Sequence, residues 1–296
     1  MSNYTAGTSI TSPSGDVYLV HGLISRGGFS SVYTAHLHPD RTQIYAIKVI
    51  DKRKIHGKMV EHIEREISIA KDVHHPYILG MKDVIETQVQ YLMIMDYVEG
   101  GELFEVLKTE GILSLRQNIT ILTQICEAVS YLHERCICHR DIKPENVLCT
   151  NCEEPFDIKL ADFGLAVRFD EEPMTTSCGT LHYAAPEIVG TAKTYTEACD
   201  MWSIGVLAFV LLTVSFPFDG TVEEVKQKIC EGNVDWNRMK GKDTCEEAID
   251  FVEKLLVVDS SKRMTAQECL EHPFLHLLDV ETDIDIPLDI IDDFEL

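Results

Sequence analysis

No stretch of this chain has the length of a membrane span. The most apolar run, WSIGVLAFVLLTV at 202–214, falls short of the ~20 residues that a span needs, so it reads as a buried core helix. A secretory leader is also missing. The opening MSNYTAGTSITSPSGD is polar with no apolar segment, and position 2 is not glycine, so neither secretion nor myristoylation is expected. Basic residues are scarce: 26 Lys plus Arg stand against 49 Asp plus Glu, a formal net charge of −23. That balance argues against a nucleic-acid or anionic-membrane partner and is compatible with cationic substrates, although solubility alone would also explain it. The ten cysteines form no framework. Cys149-Thr-Asn-Cys152 lacks a second pair at zinc-ribbon spacing, and Cys136-Ile-Cys138 has only His139 beside it. Reduced thiols in an intracellular protein, cytoplasmic or nuclear, are expected rather than a metal centre.

What is present is ordinary for a globular protein, with 45% hydrophobic and 25% charged residues. A length of 296 residues exceeds the usual single compact domain, so two lobes with separate cores are expected. Period-2 runs at 16–25, 31–37, 43–50, 79–86 and 90–95 read as strands. One helical pattern interrupts them over 59–72, with Met59, Ile63, Ile67 and Ala70 on one face. Beyond Gly100-Gly101 helical periodicity takes over, at 115–133, 222–231 and 245–256, joined by the apolar run at 202–214. A short strand pair, 147–149 and 157–160, sits between. This pattern predicts an α+β chain: a small β-rich lobe (17–95) with one helix, a hinge (96–101) and a larger, mainly helical lobe (102–276). An N-terminal extension (1–16) and a tail (277–296) of alternating acidic and apolar residues flank them, and no internal repeat is visible.

Within eight positions HRDIKPEN, 139–146, holds a carboxylate, an ammonium and a carboxamide: Asp141, Lys143 and Asn146. Asn146 precedes the first strand of the short pair and Asp162 follows the second, so a hairpin brings both near Asp141. Two oxygen ligands with room for water and phosphate suit Mg²⁺. Asp141 would receive a hydroxyl proton, and Lys143 would neutralise the group in transit. Phosphoryl transfer asks for this combination.

Here a resemblance emerges. HRDIKPEN resembles the catalytic loop of protein kinases, and Asp162-Phe163-Gly164 their metal-binding triplet. Tyr45-Ala46-Ile47-Lys48 resembles the VAIK strand, Ala185-Pro186-Glu187 the APE motif, and Asp200-Met201-Trp202-Ser203-Ile204-Gly205 the start of the large buried helix. These follow in the family's order across roughly residues 17–276. The resemblance implies a bilobal kinase fold using ATP and Mg²⁺. Lys48 would bind the α- and β-phosphates with Glu66 as its ion-pair partner, and Ala46 would leave room for adenine. Met95 would be the gatekeeper, followed by the Asp96 carbonyl and the Val98 N–H at the adenine edge. The glycine-rich loop departs from G-x-G-x-x-G-x-V: Gly27 keeps the middle place and Val32 the last, while Ser25 and Ser30 replace the outer glycines. Gly27 and Gly28 still let backbone N–H groups approach phosphate.

Lys143 and Thr180, whose hydroxyl would bridge Asp141 and Lys143, resemble serine/threonine kinases. Leu181 and His182 depart from the residues frequent after that threonine, which leaves the substrate position after the phosphorylated residue open. Gly100-Gly101-Glu102-Leu103-Phe104 resembles the hinge exit of calmodulin-dependent and cyclic-nucleotide-dependent kinases, and the chain is most similar to the calmodulin-dependent group. Glu102 would contact ribose and an arginine three residues before the target hydroxyl, unless it caps the next helix instead. Glu145 would be a second acidic contact, while Val210 stands where some of these kinases carry a further carboxylate. Arg140 beside Asp141 implies a docking point for phosphate on Thr176, delivered by an upstream kinase or by autophosphorylation, with Thr175 and Ser177 as competing acceptors. Glu187 and Arg263 are expected to form a structural ion pair, and Asp200 to anchor the catalytic loop. Nothing after residue 276 is basic enough for a calmodulin target, so no such site is expected in this chain. Two alternatives stay open: a pseudokinase scaffold, supported only by the altered glycine loop and opposed by intact Lys48, Asp141, Asn146 and Asp162, and a small-molecule kinase, disfavoured by the APE segment and Glu102.

Overall fold

The computed structural model describes residues 4–278 apart from 152–156, 172, 177, 191 and 241–243. Cys152, Ser177, the first three residues and the tail from 279 onward lie outside the described residues. Strands β1 (Ser9–Thr11), β2 (Val17–Arg26), β3 (Ser30–His38), β4 (Ile44–Asp51), β5 (Met81–Glu86) and β6 (Gln90–Asp96) form an antiparallel sheet in the order β1-β2-β3-β4-β6-β5. The sheet covers its two faces separately. Leu92 and Ile94 of β6 pack with Tyr18, Val20 and Ile47, whereas Tyr91 and Met93 pack with Ile63 and Ile67 of helix α1 (Lys58–Asp72). That is the period-2 alternation of a strand buried on both sides.

In the second lobe, α2 (Leu103–Glu110), α3 (Leu115–Glu134), α4 (Pro186–Val189), α5 (Ala198–Thr213), α6 (Val222–Glu231), α7 (Asn237–Lys240), α8 (Glu246–Leu255) and α9 (Ala266–Leu270) surround one apolar core. Three of their N-termini are written locally as capping boxes: Ser114/Gln117, Thr221/Glu224 and Thr265/Glu268. Each such cap satisfies otherwise orphaned backbone donors and contributes about 1 kcal/mol. The apolar run falls in α5, whose residues from Cys199 to Thr213 are all buried. No helix among the described residues is long and apolar enough to cross a membrane.

Two small ribbons set up the site. β7 (Ile137–Cys138) pairs with β10 (Val167–Arg168), and β8 (Val147–Cys149) pairs with β9 (Ile158–Leu160), both antiparallel. Residues 139–146 link β7 to β8, and residues 161–166 link β9 to β10. Pairing at both ends therefore holds the two loops side by side. Leu160 also accepts from Leu79 N–H at 2.9 Å and donates to the Tyr77 carbonyl at 2.9 Å, which fixes the hairpin to the linker from α1.

Three local features differ from the sequence reading. Met59 is exposed, and Val60 packs in its place, because Val60, Ile63 and Ile67 are the residues at i, i+3 and i+7. β1 lies within the segment read as an extension; it pairs with β2 and buries Ile10. α2 spans two turns with Leu103 and Leu107 as its buried pair, too short for periodicity to stand out.

Candidate active site

The loop after β7 is held from beneath. Asp200, at the start of α5, is fully buried and accepts backbone N–H bonds from His139 at 2.8 Å and Arg140 at 2.7 Å. The ring of His133, from the last turn of α3, lies 2.9 Å from the same carboxylate. These bonds support Arg140 in the left-handed region (φ 67°), where an L-residue is strained. Burial alone would raise the Asp200 pKa; His133 and the His139 side chain and N–H outweigh it and hold it below the ordinary 3.8. A depressed folded-state value contributes stability above pH ~4 that disappears as pH falls through it. The stability gap between wild type and Asp200→Asn, followed by urea melts, is therefore expected to narrow below pH 4; a constant gap down to pH 2 would refute this.

Asp141 stands at the centre of a polar cluster. Lys143 Nζ donates to its Oδ2 at 2.7 Å, and Asn146 Nδ2 donates to the same oxygen at 2.9 Å. Thr180 Oγ1 donates to Oδ1 at 3.3 Å while accepting from Lys143 Nζ at 2.8 Å, the bridge expected of it. Asn146 Nδ2 also reaches the Asp141 carbonyl at 2.8 Å. Both contacts use the amide nitrogen, so its oxygen can accept from another group or bind a cation. The β8–β9 hairpin brings Ala161 N–H to the Asn146 carbonyl at 2.8 Å and so sets Asp162 beside the loop. Asp162 has a positive φ (64°), is exposed and accepts from Gly164 N–H at 3.1 Å, while Phe163 is buried with its ring 5.3 Å from that of His139.

Across the cleft Lys48 Nζ lies 2.6 Å from Glu66 Oε1, the expected ion pair. Burial would lower the Lys48 pKa; the Glu66 and Asp162 carboxylates reverse that and raise it, so the ammonium stays charged. A cavity of about 240 Å³ opens here, lined by Val32, Lys48, Glu66, Met95, Asp162 and Phe163 among others. Ala46 shares the sheet face of Lys48 by period 2 and pairs across β6 with Met95. Asp96 ends β6 with its N–H on the Gly80 carbonyl at 3.0 Å, and Val98 follows in the hinge. Neither Gly27 nor Gly28 has a positive φ, and a Cβ added at either would meet nothing closer than 3.4 Å. Gly27 N–H is engaged with the Ser30 carbonyl at 2.9 Å, and the Gly28 carbonyl accepts from Lys54 at 2.9 Å. Oxygen donors from Asn146 and Asp162, with no thiol or imidazole among them, suit a hard cation such as Mg²⁺.

Glu102 occupies the N-cap of α2 but makes no side-chain capping bond. Burial first, then the nearby Glu145 and Glu105, push its pKa up. Glu145 Oε2 is itself buried with no hydrogen-bond partner among the described residues. Thr176 is exposed on the wall of a cavity of about 580 Å³ lined by Lys58, His62, Arg65, Arg140 and Arg168 together with Glu61, Glu64 and Glu171. Arg140 is not idle: Nε donates to the Leu165 carbonyl at 2.6 Å and Nη1 to Tyr195 Oη at 2.8 Å. Glu187 and Arg263 form a two-pronged ion pair at 2.6 and 2.7 Å. Sequence reasoning missed His133 and Tyr195; neither sits in a motif, and only the packing of α3 and α5 on the loop brings them there.

The protein kinase domain family matches residues 18–275. Over 261 residues the chain is 39% identical to myosin light chain kinase A of Dictyostelium discoideum, covering 88% of each chain. It is 35% identical to calcium/calmodulin-dependent protein kinase type 1 of Macrobrachium nipponense over 88% of this chain and 75% of that one. The same kinase type from Caenorhabditis briggsae is also 35% identical, over 90% and 74%.

Proposed function

The chain belongs to the protein kinases, in the calmodulin-dependent kinase group, and on that premise we propose that it is an active serine/threonine protein kinase. It moves the γ-phosphate of ATP to Ser or Thr hydroxyls that carry arginine three residues upstream. The single observation behind this reading is the Asp141 carboxylate held by Lys143, Asn146 and Thr180 within 3.3 Å. A substrate hydroxyl placed against Asp141 would be oriented toward the phosphate and lose its proton to the carboxylate. Lys143, already 2.7 Å away, balances charge on the group in transfer. Thr180 fixes both side chains, and the Lys48–Glu66 pair presents an ammonium to the α- and β-phosphates. Mg²⁺, held by Asn146 and Asp162, would neutralise charge on the phosphate oxygens. Free thiols at the described cysteines fit an intracellular protein. Incubation with labelled ATP, Mg²⁺ and basic peptides tests the activity; no transfer to any Ser or Thr peptide would sink it.

For the substrate, the proximity of Glu102 and Glu145 supports the arginine preference. Two neighbouring carboxylates repel each other, and a guanidinium would relieve that repulsion while supplying paired donors. Glu102→Gln is expected to raise KM for an Arg-x-x-Ser peptide about tenfold with kcat little changed. A degenerate peptide array indifferent to arginine at that place would contradict the assignment.

For regulation, we propose phosphorylation of Thr176, by an upstream kinase or by the chain itself. The exposure of Thr176 and the Arg140 guanidinium on the wall of the same cavity support this.

A further inference from the structure

Tyr195 joins two parts of the site that are far apart in sequence. Its hydroxyl accepts from Arg140 Nη1 at 2.8 Å and donates to the Thr176 carbonyl at 2.8 Å. Its own backbone N–H donates to the Met174 carbonyl at 3.1 Å. With the Arg140–Leu165 bond at 2.6 Å, one hydrogen-bonded path runs from Leu165 through Arg140 and Tyr195 to Thr176. It ties both ends of the segment between Gly164 and Gly179 to the residue preceding Asp141. The far end is tight as well: a Cβ added at Gly179 would stand 2.9 Å from the Arg140 carbonyl oxygen. Tyr195 is 9% exposed, and burial raises its pKa, so the hydroxyl keeps the proton it donates.

We propose that Tyr195 is a positioning residue: it latches the segment around Thr176 onto Arg140 while Thr176 carries no phosphate, giving the unmodified enzyme an ordered site. The inference rests on the kinase reading above and adds to it a cause of basal activity. A phenol oxygen gives a guanidinium N–H a neutral acceptor, whereas a phosphate gives stronger, charge-assisted bonds. The latch therefore matters most before phosphorylation and little afterwards. Loss of the hydroxyl leaves a half-buried guanidinium N–H and the Thr176 carbonyl without their partner, while the ring that fills the space remains.

The test compares wild type with Tyr195→Phe, each in full-length form, dephosphorylated and then phosphorylated on Thr176 as checked by peptide mass. In the dephosphorylated proteins, Tyr195→Phe should lower kcat about tenfold and speed hydrogen exchange of the amides around Met174 to Cys178 by a similar factor, with KM for ATP within about twofold. In the phosphorylated proteins the kcat loss should shrink below about twofold, a rescue that a purely structural role of Tyr195 would not produce. Equal loss in both states overturns the proposal, as does unchanged exchange in the dephosphorylated variant. A chain that transfers no phosphate in any form instead defeats the kinase reading, and the exchange comparison still decides the latch. If Thr176 accepts no phosphate, Thr176→Ala with and without Tyr195→Phe supplies the unmodified state and must show the same tenfold gap.

Discussion

Asp141→Asn is expected to lower phosphate transfer to peptide roughly 10³-fold, within the range that a positioned general base contributes. The substitution suits the surroundings. Lys143 and Asn146 both donate to Oδ2, so an amide oxygen placed there keeps both bonds. The new NH₂ then faces Thr180 Oγ1, which can rotate to accept rather than donate. Fold and nucleotide cleft survive, while the negative charge that would orient a hydroxyl and take its proton is gone. Binding is therefore predicted to separate from chemistry: Mg²⁺ and ATP should raise the melting temperature of the variant as much as that of wild type. Full activity in Asp141→Asn would remove the carboxylate from the mechanism. Equal loss of the ATP-dependent melting shift would mean that the variant damages the cleft rather than the reaction.

The parts of this site legible in the sequence are those whose geometry is set by short-range chain connectivity. Asp141, Lys143 and Asn146 lie within six consecutive positions, and a hairpin in the next strands returns the chain to Asp162; both facts can be read from spacing and strand pairing. Lys48 and Ala46 share a face by alternation alone. Helix starts carrying Ser114/Gln117 or Thr221/Glu224 announce themselves in four letters. The supporting contacts are different. That His133 meets Asp200 depends on where α3 and α5 cross, 67 positions apart in the chain, and no local pattern encodes that crossing. Tyr195 reads as an unremarkable aromatic residue before α5, and Arg140 as a cation awaiting an anion. Only the folded chain shows the phenol supplying a neutral acceptor. Residue type alone suggests free N–H groups in the glycine loop, yet Gly27 N–H is bonded to the Ser30 carbonyl within the turn, which the local backbone path decides.

The largest loss of stability is expected from breaking the Glu187–Arg263 pair, whose arginine side chain is wholly buried under the APE segment. Its guanidinium donates to both Glu187 oxygens, to the Val257 carbonyl at 2.7 Å, to the Ala198 carbonyl at 2.9 Å and to the Val258 carbonyl at 3.2 Å. It also lies 5.1 Å from the Trp202 ring centroid. A rigid planar fork satisfies this arrangement, and a single ammonium does not. Glu187→Gln leaves a buried cation without its counter-charge, at a cost of about 3–5 kcal/mol. For a chain of this size that corresponds to a melting temperature lower by roughly 10 °C. Arg263→Lys keeps the charge but loses several of the five bonds, so it too should melt earlier, though by less than Glu187→Gln. If both variants unfold within about 1 kcal/mol of wild type in urea, the pair is only as strong as a surface ion pair, and burial here contributes far less than its hydrogen-bond geometry implies.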